Sequence, residues 1–139
     1  MTDLPTQAVI PMPGVTPNLV PSDANAAADL YVKALGGEII ARMPADDGKR
    51  LMHCMIMING GPIILNDAFP EYGAPHVPPA GYVMHLQVED GQMWWDRAVA
   101  AGFTVVMPYK LEFWGDYYGH LRDPYGIVWS IGSTPQKAG

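Results

Sequence analysis

The sequence predicts an α+β domain built from two strand–helix–strand–strand–strand (βαβββ) modules. Three observations lead there. The same order of element-forming segments occurs twice, and each helix-forming segment is introduced by an aspartate. Identical residues recur 67 positions apart, at Leu19/Leu86, Asp23/Asp90, Asp29/Asp96 and His53/His120. A stretch at 68–80 with prolines at 70, 75, 78 and 79 separates the copies. Four matched pairs are weak support alone; the repeated element order is stronger, because it survives insertions in loops.

The first copy opens on a strand at 15–20. Ser22-Asp23 offers a helix N-cap, since a short polar side chain there can accept from an unpaired first-turn N–H. Ala27, Leu30, Tyr31, Ala34 and Leu35 follow at helical spacing, and Gly36-Gly37 ends the helix. Strands are expected at 38–43, Leu51–Ile58 and 62–66, with turns at Asp46-Asp47-Gly48 and Asn59-Gly60-Gly61.

The second copy opens on a strand at 81–88. Asp90 caps a helix that sets Trp94, Trp95, Ala98, Val99 and Ala101 near one face, and Gly102 ends it. Strands at 103–107, Tyr117–Arg122 and 127–131 complete it. The intervening 68–80 segment is too rich in proline to join a sheet and is expected to be a linker. A βαβββ unit buries its helix on one sheet face and leaves the other as an open concavity. Two such units side by side make a half-barrel cleft.

Composition narrows the functional classes. The chain has 139 residues, enough for one compact domain or two small modules sharing a core. Its net charge of −6 argues against nucleic acid and anionic membrane as partners. Cys54 is the sole cysteine, so no intrachain disulfide forms and a reducing compartment is expected. The opening MTDLPTQAVIPMPG lacks the apolar run of a signal peptide, and no run reaches the ~20 apolar residues of a membrane helix. A soluble cytoplasmic protein is the expectation.

Residues 113–131, FWGDYYGHLRDPYGIVWSI, are two strand-like runs joined by the turn Asp123-Pro124-Tyr125-Gly126. This closing hairpin resembles the last two strands of the vicinal oxygen chelate superfamily, which includes glyoxalase I, the bleomycin- and fosfomycin-resistance proteins and the extradiol dioxygenases. Trp114-Gly115-Asp116, then Asp123-Pro124-Tyr125-Gly126, then Trp129-Ser130 is most similar to the PhnB-like branch. The resemblance covers about residues 14–133. It implies one domain of modules 14–67 and 81–133 facing a common cleft, with the linker at 68–80 and tails at 1–13 and 134–139. It also implies a homodimer, since such clefts are commonly completed across a two-fold.

Metal-using members carry His, Glu or Gln ligands on the first and last strands of each module. Mapped here, those slots are Thr16 or Asn18, Leu65 or Asn66, Val83 or His85, and Ser130, seven residues after Asp123, where such members would have Glu. Only His85 is a strong ligand, and a firmly held divalent ion needs at least three protein donors. The expectation is therefore no metal and no cofactor.

His85 lies in a mostly apolar strand. It is either a core histidine with one hydrogen bond or a cleft-facing general base or ligand anchor, for which a pKa near ~6.5 is suited. His53 is kept as a cleft-lining candidate, although His53 and His120 also fit structural or surface roles. Phe113-Trp114 and Tyr117-Tyr118 either cover a sheet edge or form a stacking wall. Trp129 is expected to pack on the second helix near Trp94 and Trp95. Cys54, in a buried strand, is expected to be inert. Gly-x-Ser-x-Gly, a phosphate loop, a dinucleotide glycine motif and Cys-x-x-Cys are absent from the sequence.

The leading expectation is a small-molecule-binding protein without a catalytic metal. Asn18, His53, His85, Trp114, Tyr118 and Ser130 would contact a bulky apolar or cationic ligand. The alternative is a lyase or dioxygenase-type enzyme using the same cleft, with His85 as base or weak metal ligand. A structural or regulatory role without a ligand is the third.

Overall fold

Two aspartates start the two helices. The Asp23 carboxylate accepts from the Ala26 N–H at 3.0 Å, and Asp90 accepts from Met93 at 3.1 Å. They cap α1 (Ala24–Leu35) and α2 (Gly91–Ala100). Gly36 then leaves α1 in the left-handed region, at φ 63. The computed structural model describes residue 12 and residues 14–135. The segments at 1–13 and 134–139 therefore lie almost wholly outside the described residues.

The strands are β1 (Asn18–Leu19), β2 (Glu38–Pro44), β3 (Leu51–Ile58), β4 (Gly61–Leu65), β5 (Met84–Gln87), β6 (Thr104–Leu111), β7 (Tyr117–Arg122) and β8 (Val128–Ser133). They form two open four-stranded sheets, β1-β4-β3-β2 and β5-β8-β7-β6. In each the first strand pairs parallel with the last, and the other pairs are antiparallel. The α+β class and the twofold βαβββ order are as the sequence predicts.

Alternation assigns the faces. Cys54, Ile56, Ile58, Ile63 and Leu65 point toward α1, while Leu86, Leu121, Trp129 and Ile131 point into the same core from the second sheet. One apolar cluster therefore spans both modules. Its polar centre is Asp123, 3% exposed. This carboxylate accepts from Tyr31 Oη at 2.5 Å, Trp129 Nε1 at 3.0 Å and the backbone N–H of Tyr125 and Ile127. Arg97 of α2 donates to the Ala34 carbonyl at the end of α1, 3.0 Å away.

Several expectations need correction. Trp129 packs edge-on against Tyr31 of α1, centroids 5.2 Å apart, and not beside Trp94 and Trp95. Its buried N–H needs an acceptor, and Asp123 supplies one only on that side. Trp95 instead stacks on Tyr109, and Trp94 lies under the Arg97 guanidinium. Val99 is exposed, so Trp95 and Ala98 carry the buried face of α2. The opening strands are shorter than expected, β1 having two residues and β5 four. β6 runs past Pro108 to Leu111, because it is the sheet edge and its register shifts between Met107 and Lys110.

The 68–80 segment also has structure of its own. Phe69 and Ala74 exchange backbone hydrogen bonds around a 3-10 turn at Pro70–Tyr72. Arg50 holds that loop, pairing with Glu71 through two bonds of 2.8 and 3.0 Å and stacking its guanidinium on Phe69.

Candidate functional site

The faces turned away from the helices carry the candidate residues. On the second sheet, His85, Ser130 and His120 form one row across β5, β8 and β7. Gln87, Gly132 and Tyr118 form the next row on the same face. Trp114, in the turn between β6 and β7, closes the end of the second row. Its ring lies 5.5 Å from Tyr118, with Phe113 against it at 5.0 Å. Tyr118 links the group, since its ring also meets His85 at 5.9 Å and His120 at 5.0 Å. Its hydroxyl and His120 Nε2 are 2.8 Å apart.

The state of His85 follows from its neighbours. Nδ1 is 2.7 Å from Ser130 Oγ, and Nε2 is 2.9 Å from Gln87 Oε1. Gln87 Nε2 donates to Thr134 Oγ1 at 3.2 Å and leaves the amide oxygen facing the ring. An amide oxygen only accepts, so Nε2 donates to Gln87, while Nδ1 is bonded to the Ser130 hydroxyl. Both ring nitrogens are thus engaged. Gly132 makes this possible: a Cβ there would come within 2.8 Å of Gln87 Oε1 and 2.9 Å of His85 Cε1. The imidazole occupies the space a side chain would take. Ser130 is 1% exposed beneath it and has no access for attack on a substrate.

The first sheet places a parallel set on its own face. Asn18 Nδ2 donates to Asn66 Oδ1 at 2.7 Å. Continuing the β3–β4 register by one residue sets Asn66 opposite His53, and Met43 pairs with His53 from β2. Met55, Met57 and Ile64 share this face. Asn18 and His53 therefore lie on one sheet, and His85, Trp114, Tyr118 and Ser130 on the other. Tyr117 leaves the expected wall. It points to the helix side, where it stacks on Tyr109 at 5.7 Å.

The slots at which the resemblance implies a metal can be tested against this geometry. Leu65 is fully buried on the helix side, so Asn66 holds the cleft-facing place. The donor set is then Asn18, Asn66, His85 and Ser130, with one imidazole and no carboxylate, and its members bond to one another in pairs. Among the described residues no group of three or more His, Cys, Asp or Glu could hold a metal ion. This set does not fit a divalent ion, which needs charged or imidazole donors free to point at it.

Gln87, Gly132 and His120 complete the site and were not singled out as ligand-binding from the sequence. Two of them carried a usable signal: Gln87 is two residues from His85, and His120 two from Tyr118, so each shares its partner's face. Beside His85, a groove of about 300 Å³ runs along the seam between β4 and β5, with Ile58, Ile63, Met84 and Trp129 among its walls. Cys54 is buried on the opposite face, and desolvation pushes its thiol above the ordinary value. It is not a nucleophile for this site.

Comparison with known proteins agrees with this architecture. The model of the Glyoxalase/Bleomycin resistance protein/Dioxygenase superfamily matches residues 15–131. The uncharacterized protein Rv0887c of Mycobacterium tuberculosis is 39% identical over 95% of this chain and 81% of its own length. TioX from Micromonospora sp. ML1 superposes with a TM-score of 0.68 at 26% identity, covering 88% of this chain and all of TioX. PA1353 from Pseudomonas aeruginosa gives a TM-score of 0.73 over 88% of this chain and 98% of its own, a likeness of fold at 24% identity. Among the described residues no helix is long and apolar enough to cross a membrane. Sequence match, module topology and open sheet faces converge, and the chain belongs to the glyoxalase/bleomycin resistance protein/dioxygenase superfamily.

Proposed function

We propose that this protein binds a small molecule on the face carrying His85, Tyr118 and Trp114, and does so without a catalytic metal. The observation that carries the proposal is the double engagement of His85. With Nδ1 held by Ser130 and Nε2 by Gln87, the imidazole offers its ring face and not a lone pair. A metal ligand needs a free nitrogen, and a base must reach the proton it removes, whereas the hydroxyl bonded to Nδ1 is buried. What remains exposed is a run of π surfaces, with the groove at the seam beside His85. Such walls select a flat, apolar or cationic ligand, and the net charge of −6 favours the cation.

The ligand would lie between two copies of the chain. The aromatic face is open in a single chain, and so is the methionine face of the first sheet. A homodimer setting one against the other would enclose both. Assignment to the PhnB-like branch rests on Trp114-Gly115-Asp116 and the Asp123-Pro124-Tyr125-Gly126 turn. A cytoplasmic location, with neither nucleic acid nor membrane as partner, rests on the acidic balance and the single buried cysteine.

The enzymatic alternative requires His85 to release Gln87. Elemental analysis and a thermal-shift screen of planar ammonium compounds against the native protein separate the two. Less than about 0.1 equivalent of transition metal, with stabilisation by a screened compound that is lost in Trp114→Ala, supports binding. Stoichiometric zinc, nickel, manganese or iron overturns it. A ligand at 100 times its Kd raises stability by ~2.7 kcal/mol.

A further inference from the structure

A second cavity, of about 440 Å³, lies between the turn joining β2 to β3 and the segment that links the modules. It shares no lining residue with the groove at His85. Arg50 builds it. The guanidinium bonds Asp47 on the turn at 2.6 Å and Glu71 on the linking segment at 2.8 Å, and lies over the Phe69 ring at 4.4 Å. These contacts hold the two walls apart and in place. Met52, Phe69, Tyr72 and Ala74 line this open surface cavity.

We propose that this cavity is a second ligand site, specific for an organic cation with a flat apolar body. Charge decides the sign. Asp46 and Asp47 line the cavity and Glu71 closes its clamp, against the single positive charge of Arg50, so the rim carries net negative charge. Four of the five Arg50 guanidinium N–H groups already donate to Asp47, Glu71 or the Ala68 carbonyl, which leaves a single Nη2 N–H for an anion. The Asp46 carboxylate, by contrast, is free to pair with an ammonium at the mouth. The body of the ligand has Met52, 57% exposed, and the Tyr72 ring, 83% exposed, to lie against. An exposed aromatic face beside a free carboxylate is a setting for an organic ammonium, which gains from both the charge and the ring. A clamped wall also spares the ligand the cost of ordering it.

The probe is 2-phenylethylammonium, with 3-phenylpropionate as a control of similar size and opposite charge. Each is titrated calorimetrically into the full chain. The ammonium is expected to bind at least tenfold more tightly than the carboxylate. Asp46→Asn and Tyr72→Ala are each expected to weaken it at least fivefold, while Trp114→Ala leaves it unchanged. Both substituted residues are exposed, so these variants should melt with the parent protein, and melting curves check this. Equal binding of the two probes, absence of ammonium binding, or unchanged affinity in either Asp46→Asn or Tyr72→Ala overturns the proposal. Loss of binding in Trp114→Ala alone assigns the ammonium to the His85 face, which overturns this second site and leaves the first intact.

Discussion

The two modules share a backbone plan yet finish their outward faces differently. On the first, His53, Asn66 and Asn18 sit among Met43, Met55, Met57 and Ile64. On the second, His120, Ser130 and His85 sit among Tyr118, Gln87 and Trp114. Asn18 and His85 are 67 residues apart, as are His53 and His120, so these positions correspond across the repeat, although Asn18 pairs with Ile64 and not with the residue opposite His53. The methionine face is soft and adaptable, with polarizable side chains and several rotatable bonds. The aromatic face is held stiff by hydrogen bonds at both nitrogens of His85. A duplicated framework has thus produced one fixed and one compliant wall. The helix side differs in the same direction. In the first module Asp67 receives two backbone N–H groups, from Ala24 and Leu51, whereas in the second Asp123 gathers four donors from both modules.

The largest expected effect tests that last contrast. Asp123→Ala leaves two buried side-chain donors and two backbone N–H groups without an acceptor, and should lower stability by about 3–5 kcal/mol. Asp67→Ala strands two N–H groups and should cost about 1–3 kcal/mol. Urea unfolding gives both values. A larger loss at Asp67 would show that the first module, not the junction, carries the fold.

Tyr31→Phe is expected to cost about 1–2 kcal/mol at pH 7, the worth of a hydrogen bond to a charged group. Burial, reinforced by the Asp123 charge, raises the Tyr31 phenol well above its ordinary 10.0. A group raised on folding stabilises below its unfolded pKa, and the benefit is lost as pH climbs beyond it. The parent protein should therefore lose stability more steeply above pH 10 than Tyr31→Phe does. Parallel unfolding curves at pH 8 to 11 would sever the phenol from that decline.

The smallest effect sharpens the contrast between the faces. Gly132→Ala should push His85 and Gln87 aside at a cost of about 1 kcal/mol or less, since both are exposed side chains with solvent to move into. Nitrogen-15 NMR of the imidazoles should show His85 losing its fixed Nε2–H tautomer, with His53 unchanged. An unaltered His85 spectrum would mean that Gly132 does not set the ring.

Much of the frame was legible in the residues. β3 and β7 fall at the expected bounds, Leu51–Ile58 and Tyr117–Arg122, and both helices start at the aspartates that cap them. Asn59-Gly60 turns β3 into β4 with φ of 50 and 78, the positive pair that such a tight hairpin needs. The ends of elements were less legible, because partners decide them. β6 tolerates Pro108 only as an edge strand, which composition does not reveal. Within the site, face could be read from parity, but mutual contact could not. The 2.7 Å bond between His85 and Ser130 depends on β5 lying beside β8, a pairing of residues 45 apart. Trp129 was turned the wrong way for the same reason, since its acceptor is shared with Tyr31, 92 residues before Asp123.

That same junction governs the order in which the chain can finish folding on a ribosome. The first module closes its sheet from contacts within residues 18–65. One flank of α1 then waits, its phenol unpaired, until Asp123 and Trp129 have been synthesised. Loop closure over so many residues adds little free energy but much delay. The joining segment, clipped to the first module by Arg50, shortens the free tether that the second module must search along.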